Sequence, residues 1–159
     1  MNGFFLFFEQ REAAMTAGDS PSQRCDVQLE ETYQCGLRTA NELAGGAAVG
    51  DFLKDLEPIS RSTARLVIET VFGRLHHQPG LGHRDRELVT LAALAVLGDT
   101  EKELQIHLAI AHRLGIPPAS VVALFAHISA YAGFPRALNA LAVAKDFYAG
   151  MGILSPEQQ

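Results

Sequence analysis

Two side chains in this sequence are of types that together move protons. Glu87 and His107 stand on either side of the turn Gly98-Asp99-Thr100. Glu87 precedes Leu97 by ten residues and His107 follows it by ten. If the flanking segments are helices folded back as an antiparallel hairpin, both side chains sit at one height, about 15 Å from the turn. A carboxylate and an imidazole so placed make an acid/base pair, the carboxylate orienting the ring. A first-turn glutamate also favours the helix dipole unaided or pairs with His83 or Arg84. A histidine among Leu104, Ile106, Leu108 and Ile110 also serves as a core residue bonded to a carbonyl. Spacing alone leaves both readings open.

Other histidines could bind rather than react. His76 and His77 precede Gln78-Pro79-Gly80-Leu81-Gly82, a loop by its Pro-Gly. Binding residues collect on loops, and these two are candidates to hold a substrate carboxylate. His127 and Tyr131 lie one helical turn apart and are candidate pocket residues, with packing the plainer alternative. His112, five residues from His107, points off the same face and reads as structural. No HExxH occurs and His107 and His112 miss the i, i+4 spacing, so no metal site is expected.

The elements that must position these residues are helices. Arg84–Leu97 is apolar nearly all round from Leu88 onward, which predicts a buried helix. Leu29–Glu42, Ala47–Leu56 and Ser60–Leu75 suit helices, with Gly45-Gly46 and Pro58 between them and Ser60 or Ser62 as N-cap. Pro117-Pro118 opens another, Ala119–Ala132, since proline fits a first turn. Gly133-Phe134-Pro135 breaks it, and Arg136–Ala149 is the last; Arg136 is expected at a subunit boundary or simply in solvent. No sustained alternation and no Asn-Gly turn signals a strand. The expectation is an all-α bundle of about six helices. Residues 1–30 read as a leader, 31–152 as the helical domain and 153–159 as a tail.

Composition narrows the partners. At 159 residues the chain is long enough for one real core. Apolar residues make up 48 % and charged ones 19 %, a greasy surface for a small monomer, so self-association is expected. A formal charge of −5 with no Lys/Arg cluster argues against nucleic acid. The Phe4–Phe8 run is too short for a signal-peptide core, and no stretch reaches the length of a membrane helix. Cys25 and Cys35 fit neither a zinc site nor a CxxC pair, and a reduced cytoplasmic setting is the default.

RDRELVTLAALAVLG at Arg84–Gly98, HLAIAHRLGI from His107, AYAGFPRALNALAVAK at Ala130–Lys145 and PGL at Pro79–Leu81 together resemble the carboxymuconolactone decarboxylase family. The likeness spans roughly Tyr33 to Gly150. It implies an all-helical subunit assembling as a homotrimer or homohexamer. It also implies loss of CO₂ from a small carboxylated lactone, or a related unsaturated keto acid, with no metal or organic cofactor. The family's glutamate and histidine fall at Glu87 and His107, with His107 as proton donor or electrophile toward the enolate that CO₂ leaves behind. In the branch similar to alkyl hydroperoxidase D, the two cysteines would fall at Thr100 and Glu103. Without thiols there, cysteine-based peroxide chemistry is excluded. One departure is Leu75-His76-His77-Gln78, where the decarboxylase branch usually carries a Trp-x-Arg-type sequence. It keeps open a different substrate, or an isomerase or cyclase of a biosynthetic pathway. A non-catalytic oligomeric accessory protein on the same fold is a separate alternative, against which the retained Glu87 and His107 count.

Overall fold

Glycines that turn the backbone and prolines that begin helices divide this chain into helices with short connections. A computed structural model describes residues 21–153, with side chains from residue 26. Residues 1–20 of the expected leader and residues 154–159 of the tail lie outside the described residues. The α-helices run α1 Pro21–Ala44, α2 Gly46–Val67, α3 His83–Leu97, α4 Glu101–Arg113, α5 Pro118–Ala132 and α6 Phe134–Gly150. No strand occurs among the described residues, and the class is all-α. α1 begins ahead of the expected Leu29. The break expected at Pro58 is a kink inside α2, where Ser60 is extended (φ −155°, ψ 93°). Ser60 Oγ accepts the Thr63 backbone N–H at 3.3 Å and so caps the second half of the helix.

The helix expected to reach Leu75 instead loosens into a π turn, Ile68–Phe72, in which the Gly73 N–H reaches back to the Ile68 carbonyl at 2.9 Å. α1 causes no crowding there because the contact is backbone on backbone. A Cβ on Gly36 would overlap the Ile68 carbonyl, and one on Gly73 would stand 2.5 Å from the Thr32 carbonyl. Arg65 secures the same junction through Glu69 at 2.6 Å and Glu30 at 2.8 Å, its guanidinium over the Tyr33 ring. The π turn delivers the chain into a single 3₁₀ turn, Leu75–His77.

Two apolar clusters hold the helices. Ala40, Val49 and Ile68, flanked by Tyr33, Leu37, Phe52 and Phe72, join α1 and α2 to the π turn. The larger cluster joins α3 to α6 through Leu91, Ala95, Leu104, Leu108, Val121, Phe125, Ala140 and Tyr148, among others. Each large side chain buried there contributes about 1.5–3 kcal/mol. α3 is not buried all round, as its composition suggested. Leu91 and Ala95 are buried, but Val89, Val96 and Leu97 are 59 %, 45 % and 66 % exposed. Within one chain the helix packs α4, α5 and α6 on one side only, so burial follows the neighbours and not the helix's own composition.

Candidate active site

Gly98 (φ 69°) and Asp99 (φ 56°) turn the chain between α3 and α4. Both lie in the left-handed region, which glycine and the short polar aspartate tolerate. Thr100 Oγ1 donates to the Leu94 carbonyl at 2.8 Å, and the Arg136 guanidinium lies over Gly98 with Asp99 4.0 Å away. Arg136 therefore braces this turn from α6. The hairpin so closed brings Glu87 and His107 together: the imidazole Nδ1 lies 2.8 Å from Glu87 Oε1.

The surroundings decide what that contact means. Glu87 stands one and two turns before Leu91 and Ala95, on the stripe that packs into the core, and is 2 % exposed. A carboxylate there needs a partner, and His107 supplies it. Arg84, the alternative partner in sequence, instead donates to the Leu114 and Gly115 carbonyls at 3.0 and 2.9 Å. His83 turns to the loop. His107 flanks the buried Leu104, Leu108 and Ala111 stripe of α4, so its ring keeps 22 % of its surface. With Glu87 ionised, the Nδ1–H donates to it, and Nε2 has no hydrogen-bond partner among the described residues. The arrangement presents one imidazole nitrogen, in a set tautomer, from an apolar wall.

The loop before α3 folds back over that helix's first turn. His76 Nδ1 lies 3.0 Å from His83 Nδ1, with Phe72 stacked on its other face at 5.4 Å. Burial, followed by the positive charges of His83, Arg86, His77 and His107, pushes the His76 imidazole down to about 4. His76 is thus neutral at pH 7 and within electrostatic reach of both Arg86 and His107. His77 turns the other way, to α1, where its Nε2 lies 3.0 Å from Thr39 Oγ1 and 3.4 Å from Cys35 Sγ. His127 and Tyr131 lie elsewhere on α5, exposed, in contact with each other at 5.2 Å and with no bond or ring contact to Glu87 or His107. So the structure joins Glu87 to His107, sets His76 against His83 in the first turn of the same helix, ties His77 to α1, and gives His127 and Tyr131 no hydrogen bond or ring contact with the pair.

Arg86 and His83 belong to this quarter and were not singled out by sequence. Arg86 Nη2 donates to the Gln78 carbonyl at 2.6 Å. Their i, i+3 spacing puts them on one face of α3, but only the folded loop shows that this face meets His76. Among the described residues no three His, Cys, Asp or Glu side chains are grouped as a metal would require. No helix among them is long and apolar enough to cross a membrane. At the positions where a peroxidase would carry its cysteines stand the bonded Thr100 and the exposed Glu103.

The carboxymuconolactone decarboxylase family model matches residues 62–146, which contain every residue of this site. The chain is 31 % identical over 129 residues to the 4-carboxymuconolactone decarboxylase of Acinetobacter baylyi, covering 81 % of this chain and 95 % of that protein. It is 26 % identical over 108 residues to the nitrosuccinic acid decarboxylase of Metarhizium robertsii, covering 68 % and 75 % respectively.

Proposed function

This chain belongs to the carboxymuconolactone decarboxylase family, and on that premise we propose that it is a decarboxylase using Glu87 and His107 as one proton-transfer unit. Two relatives are named as decarboxylases, which supports the reaction type. The observation that carries the residue assignment is the 2.8 Å contact between a buried carboxylate and a part-exposed imidazole.

The two relatives' names describe substrates with a common chemistry. Nitrosuccinic acid is a four-carbon diacid with a nitro group beside one carboxyl. A carboxylated muconolactone keeps two free carboxyls and a conjugated lactone carbonyl. In each, one carboxylate can leave as CO₂ because the electron pair of the broken C–C bond has an acceptor in the substrate itself. We assign the same class to this chain: a small acid whose departing carboxylate is conjugated with a carbonyl or similar acceptor. The pair passes into the acceptor, giving an enolate-type anion, and His107 then delivers a proton from Nε2 to carbon. Glu87 holds Nδ1–H and offsets the imidazolium's charge while His107 carries its second proton. The ring recovers that proton from solvent. The substrate supplies the electron sink, so the reaction as proposed calls on no metal or organic cofactor.

The test is CO₂ release from 4-carboxymuconolactone and from nitrosuccinate by the purified protein. Release from either, abolished in His107→Ala, is the expected result. Consumption of substrate without CO₂ would replace the reading with isomerisation or ring closure. Binding without any conversion would replace it with an accessory role.

A further inference from the structure

One charged group in this quarter is left unanswered by the chain. Arg86 is part-buried, and its Nε has no hydrogen-bond partner although the atom is shut off from solvent. Only Nη2 is engaged, by the Gln78 carbonyl. The other arginines that reach inward are matched: Arg65 by Glu30 and Glu69, Arg84 by two carbonyls, Arg113 by the Leu43 carbonyl at 3.1 Å. No ion pair joins Arg86 to a carboxylate among the described residues. A buried guanidinium N–H without a partner costs stability, and such exceptions call for a specific reason.

Its position supplies one. Arg86 immediately precedes Glu87 on α3 and shares a face with His83, three residues earlier. That face is the one the loop covers, with His76 against His83 and Gln78 against Arg86. The Gln78 carbonyl holds one arm of a planar fork whose geometry matches a carboxylate. On the proposed chemistry, each candidate substrate has one carboxylate that leaves and another that stays. We infer that Arg86 binds the carboxylate that the substrate retains, and thereby selects dicarboxylic acids. This rests on the decarboxylase reading above for the identity of the ligand. His76, packed on His83 at the edge of this face and neutral at pH 7, adds no second cation to it. Recognition of the retained group then falls to one guanidinium, while Glu87 and His107 remain free for the group that reacts.

The experiment uses non-reacting probes, succinate and its monoamide succinamate, titrated calorimetrically into the full-length protein. They match in length, and one carboxylate is exchanged for a neutral amide. Wild type should prefer succinate by roughly 10- to 100-fold, the range for a hydrogen-bonded charge pair. Arg86→Met should erase that preference, Arg86→Lys should keep part of it, and His107→Gln should leave it in place. Arg86→Met also gives up the Gln78 hydrogen bond and should melt somewhat lower than wild type, so the deciding readout is the ratio between the two probes and not the affinity for either. A preference near one in wild type, including binding of neither probe, overturns the inference. So does a preference that survives Arg86→Met, as it does when both probes lose affinity equally. Failure of the decarboxylase reading looks different: succinate selectivity through Arg86 persists while no CO₂ is released from either candidate substrate.

Discussion

A buried carboxylate against a part-exposed imidazole behaves as one unit, because neither side chain has another partner among the described residues to do its work. His107→Ala should lower turnover by roughly 10²–10⁴-fold, the range for a lost general acid/base. Glu87→Gln keeps the volume but offers an amide where the imidazole expects an anion, and should do similar damage. The double variant should be scarcely worse than either single one, since groups that act together fail together. Steady-state kinetics of the three variants checks this, and near wild-type turnover in either single variant would remove the pair from the mechanism. His76 makes a separate prediction about stability. Its ordinary value of 6.5 is lowered to about 4 in the fold. Above pH 6.5 it is neutral folded or unfolded and contributes no pH dependence. Between pH 6.5 and 4 the unfolded chain takes up a proton that the folded chain refuses, so stability falls as the solution is acidified. Thermal melts from pH 7 to 4.5 should show a shallower decline in His76→Gln than in wild type, and equal slopes would contradict the burial of this ring.

At the scale of elements, two connections set the site. The α3–α4 turn sets the height at which Glu87 and His107 meet, and the π turn aims Phe72 at His76 and carries the loop onto α3. The π turn depends on a close approach that side chains would prevent. Gly73→Ala places a methyl group 2.5 Å from the Thr32 carbonyl and 2.7 Å from that of Glu69, both of them backbone atoms that cannot swing aside. The helix angle at Gly73 is itself ordinary (φ −81°), so the effect is overpacking and not backbone strain. A loss of about 1–3 kcal/mol in urea unfolding is expected. Succinate binding should weaken with it, because the loop holding Gln78 moves with the π turn. An unchanged unfolding midpoint would show that α1 can retreat from this contact without cost.

For the whole molecule, the question is what covers the apolar surface left outside the two clusters. Val89, Val96 and Leu97 on α3 are joined in exposure by Tyr131 (80 %), Phe134 (69 %) and Leu138 (59 %). An outer surface so rich in large apolar groups is characteristic of chains that associate. We therefore expect a homo-oligomer, a trimer or hexamer, with light scattering giving three or six times 17.2 kDa at micromolar concentration. Leu97→Glu combined with Val89→Glu should lower that mass without loss of helix content. A single 17.2 kDa species for wild type would overturn the expectation.

Much of the architecture was legible without coordinates, because its signals are local. Gly98, Pro117-Pro118 and Gly133 break helices through their own backbone chemistry, and the ten-residue spacing on each side of Leu97 sets the height of Glu87 and His107 through helix rise alone. Other features depend on which surfaces meet. The face of α3 that lies outward, the π turn in place of a continuous helix, and the turning of His76 toward α3 but His77 toward α1 are all decided by neighbours distant in sequence. Adjacent residues in a 3₁₀ turn point about 120° apart, so His76 and His77 were bound to diverge. Which of them would reach the Glu87–His107 quarter was settled by Phe72, Thr39 and the fold of the loop. Arg86 shows the same limit from the other side. Its residue type is visible in the chain, but the missing partner for its Nε exists only once the loop has closed over the helix and excluded water from it.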